Sequence, residues 1–549
     1  MRRFWMLLKP DKLEIRNLYI YAIIIGLLNL VLPIGIQSII NLIQGGAVST
    51  SWFILILLVA GAIALSGIIQ INQLRITENL QQKIFTRAAF EFTYRIPKIR
   101  LEQLFKQYAP ELMNRFFDVV SIQKGMTKIL IEFSSATIQV LFGLILLSLY
   151  HPFFILFSLI LVMMIYAIFS ITMNRGLKSS LEESSHKYRL AHWLEEMARS
   201  NTTFKLAGRT DLTMSRTDAH TDQYNNSREK HFGILRLQYS LMVAFKVLVA
   251  VGLLLIGGLL VIDQQMNIGQ FVAAEIVILL IVNSVEKVIL SFETIYDVLT
   301  SLEKLGQVLD LELESDGGMI LNGTEDGLNL SINEISYHYP QEEKLAINAV
   351  SIDVKSRERV LITGKNDSGK STLLYLVSGL LSPSSGSITI EDIPIHNYNF
   401  NSLRNSIGGY LRDESLFEGS LLENITLGRE RATFDHVKWA AKSVGLSDLV
   451  AKFPMGYDTH ILPAGKQFSK STVAKILIAR AIVDRPRLLL LENSFSVFSQ
   501  EERDKIIQFL LSREHTWTVL MTSSQAIEFN DLIDKNIVLN QGKIIQSNS

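Results

Sequence analysis

"RERVLITGKNDSGKSTLLYL" occupies residues 357–376. A run of apolar, β-branched residues (Val360 to Thr363) leads into Gly364, Lys365, Asn366, Asp367, Ser368, Gly369, Lys370, Ser371 and Thr372, and then into an apolar-periodic stretch. This is G-x-x-x-x-G-K-S in the strand–loop–helix context that the phosphate-binding loop requires. Backbone N–H groups and a helix N-terminus cradle phosphates in such a loop. Lys370 is placed to reach the β- and γ-phosphates, and Ser371 to offer its hydroxyl to Mg²⁺. Asp367 sits where a glycine is common. It tolerates the turn but turns a negative charge towards phosphates, which weakens binding without abolishing it.

About 110 residues further on, "LLLLENSFSVFS" (488–499) is an apolar strand ending in an acid, Glu492. An acid at the end of a buried strand close behind a phosphate-binding loop is a second magnesium-side ligand. Ser371 and Glu492 are therefore the expected metal-side residues, with ATP and Mg²⁺ as the expected cofactors.

Upstream the chain changes character. It has 549 residues, 48% of them hydrophobic, a formal net charge of +0 and no cysteine. Nothing in that charge balance points to nucleic acid, and disulfides, thiolate metal sites and cysteine nucleophiles are excluded. The apolar residues concentrate between 17 and 290, in stretches near 17–43, 52–74, 131–150, 152–173, 236–262 and 267–290. Each approaches the roughly 20 residues needed to cross a bilayer. The connections at 44–51, Tyr150-His151 and 263–266 are short and carry no Lys or Arg, whereas the N-terminus, 75–130 and 174–235 are rich in both. The positive-inside rule then puts the long loops and both termini in the cytoplasm. The first 17 residues, MRRFWMLLKPDKLEIRN, lack the pattern of a cleaved signal peptide.

With these pieces in order, the chain resembles an ABC exporter half-transporter of the six-helix type, with the membrane domain fused ahead of the nucleotide-binding domain. ISYHYP (335–340) resembles the family's aromatic loop, which implies that Tyr339 stacks on adenine. GLLSPSSGSITIEDIPI (379–395) resembles the stretch after the P-loop helix, LRNSIGGYLRDESLFEGSLLENITLG (403–428) the Q-loop region, and KILIARAIVDRPRLLLLEN (475–493) the signature helix and Walker B strand. In the membrane half, YAPELMNRFFDV (108–119) resembles the first intracellular coupling segment, and LEEMARSNTTFKLAGR (194–209) the return helix of the second loop.

The departures from the family pattern are systematic. Arg412 stands at the Q-loop glutamine, a cation that repels magnesium. The signature stretch is FSKST (Phe468 to Thr472): Ser469 survives, to act in trans, but both glycines are lost and Lys470 replaces one of them. The Walker B aspartate is Glu492, longer by about 1.5 Å. Asn493 stands at the general-base position, Ser499 at the D-loop aspartate and Ser523 at the switch histidine. An amide orients a water but takes no proton at neutral pH, and loss of a general base costs about 10²–10⁴ in rate. Asp413 is the nearby acid that could substitute.

The expected fold is thus a multi-domain membrane protein. An all-α six-helix transmembrane domain with long cytoplasmic helical extensions (17–300) follows a cytoplasmic segment (1–16). A linker (301–325) then leads to an α/β P-loop NTPase domain (326–549). The resemblance implies a multi-pass protein of the cytoplasmic membrane, a homodimer or a heterodimer with another half-transporter, with a membrane-fusion adaptor as a further partner and no nucleic acid. ATP is bound while hydrolysis by this chain's own site is impaired. A regulatory or scaffolding pseudo-ATPase, and an active homodimer with a substitute base, are the alternatives. Within the spans, Lys246 and Glu286 lie at comparable depth, roughly 24–28 Å from the outer end, where snorkelling accounts for both. Glu275, only about 12 Å in, is the better cavity-facing residue, and Lys287 is a further ionisable one. Glu111 and Arg115 have helix-stabilising spacing. No motif identifies a substrate.

Overall fold

A computed structural model describes residues 9–45, 50–105, 109–321, 326–340, 342–492, 495–524 and 530–548. The chain divides into two compact units, one of Met1–Pro97 with Tyr108–Leu311, the other of Lys98–Gln107 with Glu312–Ser549.

The first unit is helical. α1 (Lys12–Gln44) and α2 (Thr50–Arg95) come first. α3 (Asp118–Lys128) runs through a π-helical turn, Ile129–Phe133, into α4 (Ser134–Tyr150). α5 (Phe153–Arg199), α6 (Leu212–Ile262) and α7 (Ile268–Leu309) complete it. Among the described residues, 6 helical stretches are long and apolar enough to cross a membrane, in the expected order. Several run far beyond a span: α6 has 51 residues, where about 20 suffice. These overhangs are the helical extensions the polar patterning predicted, and α7 runs on through 301–309, the start of the expected linker.

Apolar side chains knit the helices together. Phe154, Phe157 and Leu161 of α5 join Met242, Phe245 and Val249 of α6 in one cluster. Gly143 of α4 admits α7 closely: a Cβ there would stand 2.7 Å from Ile281 Cγ1. α7 starts with a capping box, in which Asn267 Oδ1 accepts from the Gln270 N–H at 2.7 Å and Gln270 Oε1 accepts from the Asn267 N–H at 2.9 Å.

The ionisable residues differ from expectation in two respects. Lys246 of α6 and Glu286 of α7 do not snorkel independently. The Lys246 Nζ donates to Glu286 Oε2 at 2.6 Å, because pairing across adjacent helices lowers the cost of charge in an apolar layer. Glu275 is not on the wall of the cavity between α1, α2, α4 and α7; the charged α7 residue on that wall is Lys287. Arg115 and Glu111 pair as their spacing implied, at 3.3 Å, with the Arg115 guanidinium also 3.6 Å from the centre of the Tyr188 ring.

The second unit has two principal sheets. β1 (Leu330–His338), β2 (Leu345–Val354), β4 (Ser385–Ile390) and β5 (Ile393–Pro394) form an antiparallel sheet in the order β2-β1-β4-β5. The other sheet combines β3 (Arg359–Thr363), β6 (Ile407–Tyr410), β7 (Leu488–Leu491), β8 (Thr518–Ser523), β9 (Lys535–Asn540) and β10 (Lys543–Asn548) in the order β10-β9-β3-β8-β7-β6. All its pairs are parallel except β9 with β10. Strands covered on both faces read as continuous apolar runs, and the four leucines of β7 are fully buried.

This unit also includes ten residues from the connection between α2 and α3. Ile99 bridges Leu313, the Glu314 N–H donates to the Lys98 carbonyl at 2.7 Å, and Glu102 accepts from the Ser382 N–H at 3.0 Å. The coupling segment was expected at 108–119; the stretch that packs among residues of the second unit is the one just before it.

Candidate functional site

β3 delivers the chain to the P-loop at the C-terminal edge of the parallel sheet, the edge where α/β folds place ligands. The loop ends on Gly369, whose φ of +98° caps α8 (Lys370–Val377). A Cβ there would lie 2.4 Å from the Ala346 carbonyl oxygen. Asp367 takes the left-handed conformation at φ +61°, so it occupies the glycine-like position as anticipated.

The loop is held from both sides. The Lys370 Nζ donates to the carbonyls of Gly364 at 2.8 Å and Lys365 at 2.7 Å and to Ser368 Oγ at 3.2 Å. Burial lowers the Lys370 pKa, and the charges of Asp367 and Glu492 oppose that shift. The Gly542 N–H, in the turn between β9 and β10, donates to the Ser368 carbonyl at 3.1 Å. Sequence reasoning missed this clamp; the Gln541-Gly542 turn dipeptide between two strands was its one signal.

Around the loop lies a cavity of about 660 Å³. Asn366 to Thr372 form its floor, and Tyr339, Arg412, Glu492 and Ser524 stand on its walls. Tyr339 is fixed in place. Its hydroxyl lies 3.0 Å from Thr372 Oγ1, and its ring meets Tyr337 and Phe105 edge-on, each with centroids 5.2 Å apart. Phe105 comes from the Lys98–Gln107 segment and was not foreseen.

Glu492 lies at the end of β7 with both carboxylate oxygens engaged. Ser371 Oγ donates to Oε1 at 2.5 Å and the Arg412 N–H to Oε2 at 2.7 Å. A hydroxyl and a carboxylate converging in this way fit Mg²⁺, which takes one or two protein oxygens and completes its shell from phosphates and water.

The remaining predicted positions are dispersed. Asn493 lies outside the described residues. Ser523 is 5% exposed at the end of β8, whereas its neighbours Thr522 and Ser524 line the cavity. Side chains alternate along a strand, so Ser523, between two lining residues, is itself not part of the cavity wall. Ser499 caps α10 (Gln500–Leu511) in a box with Glu502. Ser469 likewise caps α9 (Lys470–Ile482), its side chain accepting from the Thr472 N–H at 3.2 Å. Asp413 is absent from the cavity lining. It accepts from the Tyr375 hydroxyl at 2.6 Å, and that bond together with burial pushes the tyrosine pKa up.

Comparison with known proteins agrees with this architecture. The family model described as ABC transporter transmembrane region matches residues 16–285, and the one described as ABC transporter matches 347–496. The uncharacterized ABC transporter ATP-binding protein YfiB of Bacillus subtilis is 32% identical over 244 residues, 44% of this chain and 42% of the relative. The alpha-hemolysin translocation ATP-binding protein HlyB of Escherichia coli is 27% identical over 286 residues, 52% of this chain and 40% of the relative. The chain thus spans less than half the length of these curated relatives. A solved structure described as a bacterial Atm1-family ABC exporter with ATP bound superposes with a TM-score of 0.84 at 18% identity, covering 98% of this chain and 95% of the other.

Proposed function

We propose that this chain, which belongs to the ABC transporters as a half-transporter of the exporter type, works in a dimer that grips ATP through this site and hydrolyses it poorly. On this reading the protein is a multi-pass component of the cytoplasmic membrane, with both termini and the nucleotide-binding unit in the cytoplasm. It pairs with itself or with another half-transporter. HlyB is named for alpha-hemolysin translocation, and we extend to this chain only the general role of export, with a membrane-fusion adaptor as a further partner.

The binding half of the proposal rests on residues already gathered around one cavity. The P-loop N–H groups and the α8 N-terminus receive the phosphates. Lys370 exchanges its loop carbonyls for phosphate oxygens. Tyr339 presents a ring for the adenine, and Mg²⁺, held by Ser371 and Glu492 with the phosphates, supplies charge neutralisation.

The impaired half rests on the identities at the hydrolytic positions: Arg412, which lines the cavity, stands where the family's pattern has a glutamine, and Ser523 where it has a histidine. Ser523 takes no proton from water at neutral pH and neither does Asn493 beside Glu492, while Arg412 replaces a magnesium contact with a cation that repels the metal. The substitute base is disfavoured by geometry, since Asp413 is engaged by Tyr375 and stands off the cavity wall. In a head-to-tail dimer, Ser469 of FSKST would face the partner's nucleotide without the glycines that allow close approach. Rapid hydrolysis then belongs to a regular partner chain.

Steady-state turnover of the full chain in lipid nanodiscs tests this. The wild type is expected at the level of Lys370→Ala, and Asn493→Glu is expected to raise turnover about 10²-fold. Wild-type turnover well above the Lys370→Ala background would overturn the proposal.

A further inference from the structure

The helical unit holds a second cavity, of about 420 Å³, between α1, α2, the π-helical turn, α4 and α7. Its size falls within the usual range for small-ligand sites, about 300–1,000 Å³. Counted along the helices from their outer ends at about 1.5 Å per residue, Gln139, Asn283 and Asn29 lie roughly 16–24 Å deep. That depth is inside the hydrocarbon layer, where polar side chains mark pathways for polar solutes.

Carboxamides stand on its wall among apolar residues: Asn29, Gln70, Gln73, Gln139 and Asn283 all line it. Asn29 Nδ2 donates to Gln139 Oε1 at 3.0 Å, which fixes the Gln139 amide. Gln139 is only 6% exposed, yet its Nε2 has no hydrogen-bond partner, and neither has Ser135 Oγ on the same wall. A buried donor of this kind is costly unless something else satisfies it. The wall also includes the π-helical turn, which carries Glu132, while α7 contributes Lys287. Such turns are uncommon and recur at functional sites. Neither Glu132 nor Lys287 forms an ion pair with a described residue, so one acid and one base face the same space.

We propose that this cavity binds a short peptide with free ends. Carboxamides match peptide N–H and C=O groups in both polarities. Gln139 Nε2 donates to a peptide carbonyl, Glu132 receives the terminal ammonium and Lys287 the terminal carboxylate. Ile25, Leu74, Ile131 and Leu280 on the same wall accept small apolar side chains. The balanced charge selects against strongly anionic or cationic solutes. This assignment rests on the exporter reading and names its cargo class.

Equilibrium binding of tritiated tri-alanine to the full chain in nanodiscs tests it without requiring ATP turnover. Saturable binding is expected, with Gln139→Leu weakening it about tenfold. Asn283→Ala, an exposed position on the wall, is expected to weaken it about fivefold and decides the matter if the buried Gln139 variant fails to fold. Tri-alanine blocked at both ends should bind more weakly, and tetraphenylphosphonium should not compete. Absence of saturable binding, equal affinity in the variants, or displacement by tetraphenylphosphonium would each overturn the assignment. A chain that moves another cargo yet binds no tri-alanine refutes the cavity assignment and leaves the exporter reading intact. A chain that binds tri-alanine yet moves nothing leaves the site standing and removes its transport role.

Discussion

The Ser371 hydroxyl donates to Glu492 Oε1 at 2.5 Å, joining the first turn of the P-loop helix to the end of a strand 121 residues away. The same carboxylate accepts the Arg412 N–H, so three motifs of the nucleotide site meet at one side chain. Glu492 is a methylene longer than the family's aspartate and still reaches Ser371. Ser371, Glu492 and the backbone of Arg412 are therefore assembled at one point of the cavity.

Arg412 supplies positive charge on the cavity wall. Arg412→Gln should weaken ATP binding about fivefold, or about 1 kcal/mol, the scale of an exposed charge contact. The loss should be larger in EDTA than with Mg²⁺, because the metal then no longer shares the neutralisation. Fluorescence titration with a nucleotide analogue under both conditions measures it; equal losses would argue against a charge role.

Tyr339 and Phe105 should affect affinity unequally. Tyr339→Ala removes the stacking face itself and is expected to weaken ATP binding about tenfold. Phe105→Ala removes only the edge contact behind it, at 5.2 Å between centroids. Such pairs contribute about 0.5–1.5 kcal/mol, hence an expected loss of about two- to tenfold, at or below that of Tyr339→Ala. Nucleotide titration of both variants checks this; a larger loss in Phe105→Ala than in Tyr339→Ala would contradict the stacking role of Tyr339.

Glu414 gives the nucleotide-binding unit a pH dependence. Burial pushes its carboxyl up to about 7 from an ordinary 4.5, against the pull of the Leu411 N–H and Arg480. Between these two values the folded chain binds more protons than the unfolded one, so stability falls as pH rises across that window and is flat above it. The effect is at most about 3 kcal/mol. Glu414→Gln should remove this slope and melt higher than wild type at pH 8 in scanning calorimetry of the full chain. An unchanged slope would refute the assignment.

What the sequence revealed was what lies close together along the chain. The P-loop is a contiguous motif flanked by its own strand and helix, and the six spans are contiguous apolar runs, so both were legible. Relationships across long separations were not. Phe105 reaches Tyr339 only because the α2–α3 connection folds into the second unit, and nothing in its local sequence announces that. Lys246 and Glu286 were matched in depth, but their pairing depends on how α6 and α7 face each other. That Ser524 lines the cavity while Ser523 stays off its wall is a matter of strand phase, which a short apolar run does not specify. The carboxamide cavity draws single residues from helices far apart in sequence, Asn29 and Gln139 being separated by 110 positions, and each alone reads as an incidental polar residue in a span.

The central claim is the proposal that the site holds ATP and hydrolyses it poorly. The most direct measurement is to load the full chain in nanodiscs with radiolabelled ATP and Mg²⁺, remove free nucleotide after prolonged incubation, and identify what remains bound. Intact ATP retained by the wild type, and lost in Lys370→Ala, is the predicted result. Bound ADP with phosphate released into solution would contradict it.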